Sequence, residues 1–420
     1  MKLLVVGSGG REHAVIRKLK ENKEIEKIYC APGNGGISAD AECVDIKATD
    51  KENMVKFAKE NAIDFCVVTP DDPLALGMVD VMEEAGIPCF GPKANAAIIE
   101  ASKAFSKDLM KKYGIPTADY ETFDNEKDAL HYIEEKNTFP IVIKADGLAL
   151  GKGVLICETL DDAKTALREM MVEHVFGLSG NKVVVEEFMT GKEVSVLAFT
   201  DGNVVKPMIS SMDHKRAYDN DVGLNTGGMG TIAPSPYYTK EIAETCMETI
   251  FLPTVKAMNA EGRTFKGCLY FGLMLTPKGP RVVEYNCRFG DPETQVVLPL
   301  LNSDLLTIMK ACHDGTLKDV DVVWSEEACA CVVEASGGYP VKYEKGFEIH
   351  GLDENGQHDG VIVYHAGTKK ENGKFYTNGG RVLGITAKGA TLQDALDKAY
   401  EAVKEIGFDR MHYRTDIGKK

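Results

Sequence analysis

The stretch "VVEYNCRFGDPETQ", residues 282–295, decides how this chain is read. It begins as an apolar run and ends in charge around a Gly-Asp-Pro turn. Glu284 and Asn286 stand two residues apart, so on a strand they share a face. Together they offer a carboxylate and an amide oxygen at a strand end. Such a hard-oxygen pair suits Mg2+, whose shell is typically completed by phosphates and water. Arg288 adds a guanidinium able to neutralise phosphate charge, which leaves Asp291 and Glu293 to hold a cationic amine. Because the cluster is acidic, removing the charge of Glu284 is expected to leave the ligand-free protein as stable as before, or more so.

The 420 residues allow about three domains at ~150 residues each. Hydrophobic content of 44% suits substantial cores. The formal charge of −15 argues against general nucleic-acid or anionic-membrane binding. Any anionic ligand must therefore be held by local Lys, Arg and backbone N–H groups. Cysteine occurs 11 times, with no CxxC and mostly in apolar runs such as "DFCVVTP" and "ACACVVEAS". That pattern fits buried thiols in a reducing cytosol rather than metal or redox sites. The opening "MKLLVVGSGGREH" is too short an apolar run for a signal peptide, and no run of membrane-spanning length follows. A cytoplasmic protein is expected.

From residue 1 to about 100, "KLLVVG", "KIYCAPG", "CVDI", "FCVVTP" and "IPCFGP" alternate with helically spaced segments. This predicts a parallel, doubly wound sheet, which binds ligands at the carboxyl ends of its strands. A helix is predicted from about 103, then a strand–glycine turn–strand in "FPIVIKADGLALGKGVLIC", and a second hairpin in "KVVVEEFMTGKEVSVLAFTDG". This looks like a small α+β module inserted into a larger one, which resumes through "CLYFGLML" and "PRVVEYN". Short strands and a last helix, "TLQDALDKAYEAVKEIG", make a third, small α+β lobe after about 326.

"VVGSGGREHA" follows the first strand and opens a helix, so Gly9 and Gly10 allow close approach of an anion, with Arg11 beside it. It is not a dinucleotide fingerprint. The third glycine would fall at Glu12, and the second strand ends "YCAPGN" without an acid for a ribose. A phosphate or phosphosugar loop fits better; a plain tight turn is the bland alternative. "KADGLALGKG" is not a P-loop either, because a strand follows it. A glycine turn between strands is instead a flap over polyphosphate, with Lys144 on the strand and Lys152 at the tip. Lys144 is a charge inside a β-branched run, which needs a reason. Glu186 and Glu193 flank a turn in "VVVEEFMTGKE" and can meet ribose hydroxyls, though a polar hairpin explains them as well. The long polar segment 210–230, "SSMDHKRAYDNDVGLNTGGMG", is of the kind that often carries function.

Taken together these motifs resemble the ATP-grasp superfamily and, within it, the glycinamide ribonucleotide synthetases. The resemblance covers nearly the whole chain, through "VVGSGGREHA", "PGNGG", "ASKAFSKDLM", "IVIKADGLALGKGV", "VEEFMTGKEVS", "DHKRAYDNDVGLNTGGMG", "RFGDPETQ" and "GGRVLGITA". "RFGDPETQ" is the most specific. One departure is "PDDPL" at 70–74, where Asp71 replaces the usual Glu; another is Gly272, near where many ATP-grasp enzymes carry a second acidic metal ligand.

The resemblance implies a phosphosugar domain over 1–102, an ATP-grasp domain over 103–325 with a lid at about 123–192, and a C-terminal domain over 326–420. It implies ATP-dependent ligation of glycine to 5-phosphoribosylamine through glycyl phosphate, with Mg2+ or Mn2+, by a monomer. Lys103, Lys144, Glu186, Phe188 and Glu193 would hold ATP, with Arg288 and Lys152 acting on the transferred phosphate. Gly9, Gly10, Arg11, Asp213, Lys215, Asn225, Gly227, Gly228, Asp291 and Glu293 would hold the phosphosugar and glycine. Glu284 and Asn286 would hold the metal.

Overall fold

Apolar runs flanked by glycine turns form the first sheet of the computed structural model, which describes residues 1–149 and 151–419. Strands β1 (Lys2–Gly7), β2 (Lys27–Pro32), β3 (Glu42–Cys43), β4 (Phe65–Val68) and β5 (Cys89–Phe90) lie parallel in the order β3-β2-β1-β4-β5. Only two residues of "CVDI" and its flank pair as strand. The helix Gly10–Leu19 leaves the carboxyl end of β1, which places its N-terminus at the ligand-binding edge of the sheet.

The helix Lys103–Tyr113 is capped by the Ser102 hydroxyl and stopped by Gly114 in the left-handed conformation. Four strands follow: β6 (Tyr120–Phe123), β7 (Ile141–Ala145), β8 (Val154–Cys157) and β9 (Val183–Glu187), in the order β6-β9-β7-β8. The helices Glu126–Lys136 and Leu160–Met171 bury Ala129, Ile133, Ala163, Leu167 and Met170 on one face of this small sheet.

Beyond it run β10 (Lys192–Thr200), β11 (Val205–Pro207), β12 (Met212–Asp213), β13 (Arg216–Tyr218), β14 (Val222–Asn225), β15 (Gly230–Ala233), β16 (Gly267–Thr276) and β17 (Gly279–Asn286). The last lobe adds β18 (Ala328–Ser336), β19 (Ile362–His365), β20 (Thr368–Glu371), β21 (Lys374–Thr377), β22 (Arg381–Gly389) and β23 (Met411–His412).

Residues 183–200 do not form the expected hairpin. β9 stays in the small sheet, whereas β10 joins the sheet β11-β10-β16-β17. The reason is pairing length: β10 matches β16 over nine register pairs, from Lys192↔Leu275 to Thr200↔Gly267. Residues 188–191 are therefore a crossing between two sheets. Gly191 is required there, because a Cβ would lie 2.2 Å from the Leu275 carbonyl oxygen. The sheet of the last lobe, β12-β15-β18-β22-β19, also takes β12 and β15 from the polar segment 210–230. Among the described residues no helix is long and apolar enough to cross a membrane. All the cysteines except Cys43 are buried.

The first and last lobes are joined by two neutral histidines. His13 Nδ1 accepts the His365 N–H at 2.9 Å, so its proton sits on Nε2 and is donated to Asp40 at 2.8 Å. Arg17 and Lys20 also hold Asp40. His365 Nε2 donates to the Gly356 carbonyl, and its Nδ1 accepts the Thr368 hydroxyl. Burial pushes the pKa of His13 below its usual value, although Asp40 pulls the other way. Burial, helped by His13, takes His365 down to about 3.

The folded imidazoles stay neutral, while unfolded ones gain a proton below about pH 6.5. Stability is thus full above that pH and is lost as pH falls. For His365 the loss at about pH 5 is roughly 2 kcal/mol. Thermal melts at about pH 7.5 and 5 should show a drop that His365→Gln makes smaller. An equal drop in parent and variant would contradict the neutral-histidine latch.

Candidate active site

The sheets enclose one cleft of about 1040 Å³. Its walls include Arg11, Lys103, Lys144, Lys152, Glu186, Phe188, Glu193, Asp213, Lys215, Asn225, Gly227, Glu284, Asn286, Arg288, Asp291 and Glu293. The fold thus gathers most of the residues singled out by sequence. Gly9, Gly10 and Gly228 are not among the lining residues; each is packed too closely to take a Cβ. A Cβ at Gly10 would sit 2.6 Å from Gln295 Nε2, and one at Gly228 would sit 2.5 Å from Pro292 Cδ. The Gly9 N–H donates to Glu12 Oε2 at 2.6 Å. Glu12 also accepts from Arg11 Nε and the Thr69 hydroxyl, each at 2.7 Å. This buried glutamate, passed over in the sequence except as a missing glycine, organises the loop.

One half of the cleft is cationic. Lys144 projects from β7, with Nζ 3.1 Å from Glu186 Oε1 and donating to the Val283 carbonyl at 3.2 Å. Lys103 Nζ donates to the Gly147 carbonyl at 2.9 Å, which links the helix Lys103–Tyr113 to the flap. Burial depresses its pKa, with Glu284 opposing and Lys144 assisting. Lys107 is an addition that sequence reading missed. Its Nζ lies 3.3 Å from Glu186 Oε2 and donates to Thr117 at 2.7 Å. Burial lowers its pKa to about 8 against the pull of Glu186. The four-residue spacing from Lys103 puts both on one helix face, a signal that was present. Of the flap, Leu150 lies outside the described residues; Gly151 has φ +74° and Lys152 is exposed. Phe188 and Glu193 border the crossing between sheets and remain accessible.

Opposite stand the proposed metal ligands. Glu284 Oε1 lies 3.5 Å from Lys215 Nζ. Burial alone would raise its pKa, but Lys215, Lys144, Lys103 and Arg288 together hold it below the usual carboxylate range. Glu284 is therefore the counter-charge of a cationic cluster, not one member of an acidic one, and the expectation for its removal reverses sign. The Asn286 amide is satisfied with its nitrogen toward the Tyr285 carbonyl and Glu100 Oε1, which leaves its oxygen as the available end. Glu100, also missed, is buried, pairs with Arg288 Nη2 at 3.0 Å and accepts the Cys287 N–H at 2.7 Å. Among the described residues no cluster of three or more His, Cys, Asp or Glu could hold a metal. One carboxylate and one amide oxygen fit a cation that shares its shell with phosphates.

Asp291 and Glu293 have separate surroundings. Asp291 is not free: Oδ2 accepts the Arg11 N–H at 3.2 Å, Oδ1 accepts from Gln295 at 2.8 Å, and Arg381 Nη2 lies 3.4 Å away. Burial opposes its ionisation, but Arg381 and Arg11 keep it below the usual range. Glu293 is buried; Oε1 accepts the Tyr270 hydroxyl at 3.2 Å, and Oε2 has no partner among the described residues. Burial and the facing Glu293 push Asp213 well above its usual range, and burial raises Glu293 too. Arg381, a further addition, donates to the Gly227 and Asp291 carbonyls at 2.9 Å each. It lies in "GGRVLGITA", a motif noticed in sequence without a role.

The family descriptions Phosphoribosylglycinamide synthetase N domain, ATP-grasp (A) domain and C domain match residues 1–100, 101–294 and 329–420. A phosphoribosylamine–glycine ligase of Caldanaerobacter subterraneus subsp. tengcongensis is 49% identical over 417 residues, covering 99% of each chain. One of Clostridium acetobutylicum is 48% identical over 419 residues, covering 100% of each. The crystal structure of the Thermotoga maritima phosphoribosylamine–glycine ligase superposes with TM-score 0.88 at 33% identity over 100% of both chains. A biotin carboxylase domain of Hydrogenobacter thermophilus 2-oxoglutarate carboxylase, in complex with MgADP, ADP and bicarbonate, shares the fold. Its TM-score is 0.74 at 18% identity, over 98% of this chain and 91% of that one. With full-length matches at nearly half identity, this chain belongs to the phosphoribosylamine–glycine ligase family, ligases built on the ATP-grasp fold.

Proposed function

We propose that the enzyme joins glycine to 5-phosphoribosylamine, giving glycinamide ribonucleotide, ADP and phosphate, as a cytoplasmic step of purine synthesis. The observation that carries this is the division of a single cleft. Buried ammonium groups line one half; opposite them stand Glu284 and Asn286, with Asp213 and with Glu293, one of whose carboxylate oxygens has no partner among the described residues. One chain supplies every group used, so a monomer suffices.

A carboxylate is a poor electrophile. Transfer of the ATP γ-phosphoryl group to a glycine carboxylate oxygen gives glycyl phosphate and ADP. The amine nitrogen then attacks the carbonyl carbon, phosphate leaves with the C–O bond's electrons, and a proton is lost from nitrogen. Lys144 and Lys103 hold phosphate oxygens, and Lys107 with Lys144 keeps Glu186 oriented toward the ribose. Arg288, backed by Glu100, faces the charge that develops during transfer. Glu284 and Asn286 would hold Mg2+ or Mn2+, which neutralises phosphate charge when bound. Residues 147–153 would cover the acyl phosphate against water. The unpartnered Glu293 oxygen and Asp213 would receive an ammonium group, while Arg11 and the loop of residues 225–230 would border the phosphosugar.

The direct test is phosphate release with ATP, Mg2+, glycine and phosphoribosylamine, expected at one phosphate per amide formed. Turnover with bicarbonate in place of glycine would overturn the substrate assignment.

Lys144→Met keeps the apolar stem and removes the charge. ATP affinity by calorimetry should fall by roughly ten- to a hundredfold, the worth of a charged hydrogen bond. Parental affinity would remove Lys144 from the nucleotide site.

Glu284→Gln should abolish most phosphoryl transfer at saturating Mg·ATP. It should also lower the melting temperature of the ligand-free enzyme near neutral pH. A depressed carboxylate pKa contributes stability above its unfolded value, and that contribution is lost as pH falls through the folded one. The gap between parent and variant should therefore close toward acid. A variant more stable than the parent at pH 7 would refute the counter-charge role.

A further inference from the structure

The loop that carries Asp213, Lys215, Asn225 and Gly227 is long, polar and largely exposed over residues 218–225. Its hairpin, β13 and β14, pairs only with itself. Left alone, such a hairpin is marginal. It is held from outside by the segment 412–418.

Arg414 is fully buried. Its Nε and Nη2 grip the two oxygens of Asp416 at 2.8 Å each. Its Nη1 donates to the Arg216 carbonyl at 3.1 Å and to Asp221 Oδ1 at 3.0 Å. Asp416 Oδ2 accepts the Asn220 N–H at 2.9 Å. Thr415 binds Asp219 through its N–H at 2.8 Å and through its hydroxyl. At either end the segment repeats the contact. His412 Nε2 donates to the Ala217 carbonyl at 2.6 Å, and the Gly418 N–H donates to His214 Nε2 at 3.1 Å. His214 then donates from Nδ1 to Gly230 at 3.0 Å, so its tautomer is fixed. The segment is itself rooted in the last lobe. Ile417 is buried in that lobe's core, and the Tyr400 hydroxyl donates to the Arg414 carbonyl at 2.7 Å.

We propose that residues 412–418 form a strap, with Arg414 as its positioning residue, that shapes the substrate loop of residues 213–228 for the amine-bearing substrates. Arg414 touches no reacting atom; it acts through the loop. The planar guanidinium is needed because four acceptor oxygens on three residues must be met at once in fixed directions, which a lysine ammonium does not reproduce. This rests on the proposed function only for which substrates are affected. Lys103, Lys144 and Glu186 lie on other elements, so nucleotide binding should be spared.

The test uses the full-length enzyme with Arg414→Lys and, because a buried arginine can be needed for folding, the exposed Thr415→Val. Both should raise KM for glycine or phosphoribosylamine by about tenfold, the scale of a misplaced positioning group. KM for ATP and calorimetric ADP affinity should change by less than about twofold, within the scatter of independent sites. Hydrogen exchange over residues 214–228 should quicken in both variants, with exchange in β7 and β9 unchanged. A merely structural Arg414 would instead lower the melting temperature and weaken ATP and glycine together, and that result overturns the proposal, as does unaltered exchange in the loop. Absence of amide formation by the parent would sink the proposed function but not the strap, whose exchange readout needs no turnover.

Discussion

Everything in the cleft depends on what the Asp291 carboxylate ties together. Its oxygens accept an N–H from the first lobe's helix, at Arg11, and a side-chain N–H from Gln295, with Arg381 of the last lobe alongside. Three parts of the chain, 280 and 90 residues from Asp291 in sequence on its two sides, meet at one partly buried charge. A helix N-terminus stabilises an anion, and two guanidinium groups make the carboxylate's ionisation secure. The surrounding glycines follow from that convergence. Gly10 admits Gln295, and Gly228 admits Pro292, because neither leaves room for a Cβ. The same glycines that suggested a ligand loop in the sequence also serve as packing surfaces between lobes.

The electrostatic design explains how a chain of charge −15 handles polyanions. Surface carboxylates are screened over about 10 Å in ordinary salt, whereas Lys103, Lys107 and Lys144 lie in a partly dehydrated wall. Burial works against their charge, as the depressed values of Lys103 and Lys107 record. Glu186 and Glu284 compensate. A triphosphate arriving with a cation would bring its own charge into this balance, relieving the ammonium groups while the cation meets Glu284. In the unliganded site the lysines are thus paired with Glu186 and Glu284, pairs that a bound phosphate and cation could replace.

Much of this was legible in residues 282–295 and in the alternating strands of the first hundred. Glu284 and Asn286 share a face as strand periodicity requires, and Lys144 inside an apolar strand does have a buried partner. What escaped reading shares a cause. Lys107, Glu100, Glu12 and Arg381 act on other side chains, and sequence spacing shows faces of single elements, not contacts between distant ones. The expected sign of the Glu284 effect reverses for the same reason. In sequence its neighbours are acids; in space they are Lys215, Lys144, Lys103 and Arg288. Residues 183–200 looked like a hairpin because local turn chemistry favours one, but the longer partner β16 is about seventy residues away and outcompetes it.

That misreading matters for function. A hairpin would have set Glu186 and Glu193 on one sheet, as neighbours across a turn. The crossing instead puts Glu186 on the β6-β9-β7-β8 sheet and Glu193 on the β10–β16 sheet, with Phe188 between them. A ligand bound there touches two sheets, which Lys144 and Arg281 also bridge through the Val283 carbonyl and Glu187. Its adenine and ribose end would rest on the crossing, while its phosphates would reach Lys144 on one sheet and Glu284 on the other. Closing the cleft then needs no new fold, only a change in angle between two sheets. A nucleotide would favour one such angle only through its differential affinity for the two arrangements. Where β9 and β10 find their partners thus decides that Glu186 and Glu193 approach a shared ligand from two different sheets.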